Sequence, residues 1–200
     1  SKLDVGDYDL RSNQYVLEAL KCFKHSDFRC GVNQLLHTKS ILPFLSDYSR
    51  GDVMLKLAKG YFRIGEVDSA RFFIREAIQY SVDQTLLVQN QKARSYSLLG
   101  QIFLYESEFD SSFTYHHKAL EIYEANNNFD GIGISFAEMA GVKLFQEKFE
   151  KSLIYYKKAT FFYEEMDRSC ASLYVNIGSV YTDLNKLDNK EQKLFLSGKI

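Results

Sequence analysis

An all-α fold, a solenoid of about five antiparallel helix hairpins, is what this sequence predicts. Three observations carry the prediction. A pattern returns about every forty residues, apolar side chains recur at three and four within each half of it, and turn-forming residues are scarce. With 11 glycines and one proline, Pro43, in 200 residues, the chain lacks the punctuation that a strand-rich fold requires. Hydrophobic residues at 46% and aromatics at 15% are enough to build a core and argue against disorder.

The first half of the pattern places a long or aromatic residue, then a large residue beside a small one, then an aromatic. It reads Met54-Leu57-Ala58-Tyr61, Tyr96-Leu99-Gly100-Phe103 and Tyr174-Ile177-Gly178-Tyr181, while Phe136-Met139-Ala140 ends on Lys143. The second half runs small, large, small: Ala70-Ile74-Ala77, Ser112-His116-Ala119 and Ser152-Tyr156-Ala159. A looser N-terminal repeat runs through Tyr15, Ala19, Gly31, Leu35 and Thr38. From Ala19 the small markers of the first halves stand 39, 42, 40 and 38 residues apart, and the second halves drift with them. Each repeat is therefore one helix hairpin, and the expected repeats are 12–46, 51–83, 90–126, 131–166 and 170–200 within a single repeat domain, 1–200. Packed helices approach to ~8–10 Å, the lower end requiring small residues, which is the role of Ala58, Gly100, Ala140 and Gly178.

The connectors Gly65-Glu66-Val67-Asp68, Ser107-Glu108-Phe109-Asp110 and Glu147-Lys148-Phe149-Glu150 each end on an acid, which the following helix dipole favours. Val67, Phe109 and Phe149 are expected to plug these turns. Polar linkers such as Asn126-Asn127-Asn128 separate the repeats, and Pro43 closes the first one. The chain opens on Ser1, and Leu194 to Ile200 continue a helical pattern, as expected of a processed product or a segment of a longer protein.

These residues resemble the tetratricopeptide-repeat pattern W-x2-L-G-x2-Y, A-x3-F, P over nearly the whole chain. Met54, Tyr96, Phe136 and Tyr174 stand where that pattern has Trp, and the terminal Pro is lost after the first repeat. The longer period resembles the extended-helix branch seen in Pins-type scaffolds, kinesin light chains, bacterial peptide-sensing regulators and repeat-bearing signalling regulators of Bacteroidetes-like bacteria. Ala119 to Tyr123, Asn128 to Ile132 and Tyr174 to Tyr181 look most like the last group. The resemblance implies a protein-protein interaction role, as the sensor or scaffold segment of a larger regulatory protein.

Twenty-five basic and 26 acidic residues give a net charge of -1, so no whole-molecule field recruits nucleic acid or an anionic membrane. No apolar run is long enough to span a bilayer. The three cysteines, Cys22, Cys30 and Cys170, are odd in number and lack C-x-x-C spacing, so reduced buried thiols and a cytoplasmic location are expected.

No residue set predicts catalysis, a metal or a cofactor. His116 and His117 are adjacent and diverge by ~100° on a helix, so they do not chelate one ion. His25 and His37 read as surface or cap residues. Gly131-x-Gly133 follows no strand and lacks a third glycine, so it is no phosphate cradle. Tyr155-Tyr156 and Phe161-Phe162-Tyr163 read as core packing, and Lys157-Lys158 is too small a basic patch for nucleic acid.

Stacked hairpins leave a concave surface lined by the first helix of each repeat, and a partner protein or peptide is expected there. The residues opposite the packed stripe name it: Lys59, Phe62 and Arg63, then Arg94, Gln101 and Tyr105, then Ala137, Gly141 and Phe145. The cations suit an acidic segment or terminal carboxylate, and Tyr105 and Phe145 suit apolar anchoring. A chaperone-tail clamp is disfavoured because Leu55, Lys59, Leu98, Arg94 and Glu138 do not reproduce its Lys and Asn set. The alternative function is self-association to a homo-oligomer through Leu194, Phe195, Leu196 and Ile200 on the last helix.

Overall fold

The computed structural model describes the backbone of residues 4–196 and side chains to residue 186. Among the described residues the chain is helical throughout: α1 (Val5–Lys24), α2 (Phe28–Leu36), α3 (Asp47–Arg63), α4 (Val67–Gln79), α5 (Leu86–Tyr105), α6 (Phe109–Ala125), α7 (Phe129–Phe145), α8 (Phe149–Glu165) and α9 (Ala171–Leu196). Two short 3₁₀ turns, His37–Ser40 and Leu42–Phe44, hold Pro43. The chain forms two compact units, Ser1–Ile102 and Phe103–Ile200. The apolar residues expected to mediate self-association, Leu194, Phe195, Leu196 and Ile200, lie outside the described side chains.

In the N-terminal unit, Val16, Ala19, Val32, Leu35, Leu45, Val53, Met54, Leu57 and Ala77 form one core. Four small residues of the pattern sit where helices meet, Ala19, Ala58, Ala70 and Ala77 being wholly buried; Gly178 on α9 does not fill the contact role expected of it, since it is exposed and a Cβ there would meet nothing within 4 Å. Tyr61 stacks on Phe73 at 5.3 Å across the α3–α4 hairpin. The C-terminal unit repeats this pairing, with Phe103 on Tyr115 at 5.2 Å. In its α7–α8 hairpin, Ser152 Oγ donates to the Ala140 carbonyl at 2.9 Å, so the small pair binds the two helices directly. Gly131, at the start of α7, lies under Tyr123; a Cβ there would come within 2.3 Å of the ring.

Every described hairpin turn uses one device. The residues after α1, α3, α5 and α7 include one with positive φ: Ser26 at 61°, Gly65 at 87°, Ser107 at 64° and Glu147 at 56°. The next residue's N–H then reaches back to the helix, as Glu66 to Tyr61, Glu108 to Phe103 and Lys148 to Lys143, at 2.8–2.9 Å. This satisfies carbonyls that the helix end leaves open. Asp68, Asp110 and Glu150 fall in the first turn of the next helix, as the sequence pattern predicts.

The cysteines correct the sequence expectation. Cys22 and Cys30 are joined as a disulfide, with Cα atoms 5.8 Å apart, and are not two reduced buried thiols. The tight turn between α1 and α2 brings the last turn of one helix against the first turn of the other, so residues eight apart face each other. Cys170 is free and buried. The cysteine argument for a cytoplasmic location therefore falls. No helix among the described residues is long and apolar enough to cross a membrane.

Candidate functional site

Helices α3 and α5 carry the cationic positions of the N-terminal unit. The helical period that buries Leu57 and Ala58 turns Lys59 and Arg63 to solvent, while Phe62 is half-buried. Arg63 does more than project: its guanidinium lies 5.0 Å over the ring of Phe28, in the first turn of α2. That stacking fixes the cation's plane at an aromatic face. Arg94 is exposed on α5, and Gln101 is half-buried one turn before the helix ends.

In the C-terminal unit the corresponding strip is apolar. On α7, Ile134, Ala137, Gly141 and Leu144 are half-exposed, and Phe145 is 64% exposed. A Cβ at Gly141 would meet nothing within 4 Å, so the strip is open at its middle. Tyr105, the last residue of α5, is 69% exposed. Phe145 likewise ends α7, so both aromatics occupy helix ends beside the turns.

The interior of this unit holds a polar group at the large step of the second-half pattern. His116 is wholly buried, and neither ring nitrogen has a hydrogen-bond partner. Burial pushes its pKa down to about 4, so the ring is neutral. Glu138 Oε2 stands 3.9 Å from Nε2, beyond hydrogen-bond reach, and does not offset that desolvation. Burial, followed by the Glu138 charge, raises the hydroxyl pKa of Tyr156 on α8.

The aromatic run of α8 divides. Tyr156 is buried, and Phe162 stacks on Phe136 at 5.9 Å, as core packing requires. Phe161 is 57% exposed and joins Glu124, Phe136, Lys157, Lys158 and Phe162 around a shallow cleft of about 390 Å³. Lys158 Nζ lies 5.2 Å over the Phe136 ring, so this cation is engaged with the cleft floor. Among the described residues no group of three or more His, Cys, Asp or Glu is placed to hold a metal ion.

No family model matches the chain. No curated protein matches it either. Solved structures do match. Aspartyl phosphate phosphatase F from Bacillus subtilis is similar with a TM-score of 0.76 and 16% identity, over 89% of this chain and 47% of that one. A Rap protein complexed with competence and sporulation factor is similar with a TM-score of 0.74 and 14% identity, over 89% of this chain and 50% of that one. Nearly identical tetratricopeptide-like repeats of a putative kinesin light chain from Podospora anserina give 0.69 and 13%, over 95% and 93%. This chain thus spans about half the length of the phosphatase and of the Rap protein. At these identities the likeness shows the fold, a tetratricopeptide-like helical repeat.

Proposed function

We propose that this chain is a protein-interaction module, serving as the sensor or scaffold segment of a larger regulatory protein, and that its repeats act as one domain. The outward strips of the first-half helices are its binding surface: Lys59, Phe62, Arg63, Arg94 and Gln101 on the N-terminal unit, Tyr105 and Phe145 on the other. The observation that carries the reading is the open apolar strip of α7, where Gly141 leaves room beside an exposed Phe145 on a helix whose opposite side is fully packed. An exposed aromatic beside a gap is a seat for a partner's side chain. The cations of α3 and α5 suit an acidic peptide or a terminal carboxylate. Similar structures supply support of the same kind, since the Rap protein was solved in complex with competence and sporulation factor.

Each strip is tested by itself with peptides selected from a random display library on the unaltered chain. Acidic peptides are expected to lose about tenfold or more in affinity on Arg63→Glu with Arg94→Glu, the loss of charge-assisted contacts. Apolar peptides are expected to lose as much on Phe145→Ala. Unchanged affinity at unchanged helicity would falsify the assignment of that strip.

A further inference from the structure

Helix α8 carries an aromatic ring where the matching helices carry polar side chains. Two residues past the last small marker of each second half, Ala77, Ala119 and Ala159, the chain reads Gln79, Glu121 and Phe161. All three positions are exposed, so hairpin packing asks for no apolar group at this step. The packed step is the next one, where Tyr80, Ile122 and Phe162 are each partly buried. Phe161 is nonetheless a phenyl ring left 57% exposed, and its own hairpin gains little from it.

The ring is not an isolated one, because it walls the cleft. Phe136 and Phe162, stacked at 5.9 Å, form the floor, and Phe161 stands edge-on to Phe162 at 5.4 Å and 85°. At about 390 Å³ the cleft falls near the lower end of the ~300–1,000 Å³ that holds small ligands. Being shallow, it suits one protruding side chain and not an enclosed cofactor.

Charge is divided across its mouth. Lys157 and Lys158 lie on the α8 side and Glu124 on the α6 side, all three exposed. The Lys158 ammonium is held between two rings, 5.2 Å over Phe136 and 5.7 Å over Tyr155. A cation placed in this way needs little further ordering when an anion arrives. Nucleic acid fits less well, since its phosphates would pass Glu124 and two lysines make no basic stripe.

We propose that this cleft is a second docking site, for a peptide that presents an aromatic side chain beside Asp or Glu. The incoming ring packs among Phe136, Phe161 and Phe162, and the carboxylate pairs with Lys157 and Lys158. Glu124 repels an acid on the opposite side, so the peptide lies with its acid toward α8. The site is separate from the strips of α3, α5 and α7 and does not rest on their assignment.

The test begins with a random peptide display library selected on the unaltered chain and counter-selected on the chain carrying Lys157→Glu and Phe161→Ser, both exposed positions. Surviving peptides are expected to pair an aromatic residue with a neighbouring Asp or Glu. A synthetic peptide of that sequence should lose about tenfold or more in affinity on Phe161→Ser, and as much on Lys157→Glu with Lys158→Glu. On Glu124→Lys it should gain about threefold or more. Phe145→Ala, and Arg63→Glu with Arg94→Glu, should leave it unchanged, all at unchanged helicity. No survivors, survivors without the pairing, or no gain on Glu124→Lys overturns the proposal. A loss on Phe145→Ala gives the peptide to the α7 strip and refutes the cleft. Tighter binding of oligothymidylate than of the peptide, lost on Phe161→Ser, makes the occupant a nucleic acid and refutes it as well.

Discussion

Ile74 in the N-terminal unit and His116 in the C-terminal unit stand at the same step of the repeat, three residues before Ala77 and Ala119, and both are wholly buried. One is a hydrocarbon and the other an imidazole without a hydrogen-bond partner. The repeat thus specifies depth and volume at this step and leaves polarity unspecified. The N-terminal unit gains hydrophobic burial there, whereas the C-terminal unit holds a group whose charged form the interior rejects.

Truncation separates the two sites most strongly. Ile74→Ala is expected to cost about 4 kcal/mol in denaturant unfolding, the transfer loss plus a cavity. Acid comes next. His116 has a folded pKa of about 4 against 6.5 for the free side chain, so the unfolded chain takes up the proton first as pH falls. Its contribution is complete above pH 6.5 and declines to pH 4, by about 3 kcal/mol. Replacing it as His116→Ile, the residue that α4 uses, should flatten the stability profile over that window. An equal slope in the variant would show that other groups govern the acid response.

The covalent link of the N-terminal unit is the next lever. A cross-link closing so short a loop contributes about 2–3 kcal/mol by chain entropy. Reduction should lower unfolding stability by that amount, and thiol titration of the unreduced, denatured chain should count only Cys170. A count of three would remove the disulfide. The smallest effect lies at the turns, where Glu147→Gly relieves a left-handed residue and should add about 0.5–1 kcal/mol, while Gly65→Ala should subtract a similar amount.

The hairpin order was legible in the sequence because Ala58, Gly100 and Ala140 mark contact points that tolerate only small side chains. Exposure of Lys59, Arg63, Arg94, Tyr105 and Phe145 followed from the same period, since a helix with one packed side must turn the other outward. Periodicity says which side faces away and is silent about what meets it, so Arg63 stacking on Phe28 could not be read. The Cys22–Cys30 link was hidden for a similar reason: pairing depends on where the chain reverses, not on the cysteine count. Ser107 and Glu147 gave no sign of their backbone conformation by residue type, and only their common spacing with Gly65 marks them.

The turn bonds run from main chain to main chain, so they constrain backbone geometry and leave side-chain identity open, as Ser26, Ser107 and Glu147 demonstrate. Fluorophores, affinity tags or charge reversals attached at those tips can therefore be exchanged at little energetic penalty, which makes them natural handles for following this protein in solution.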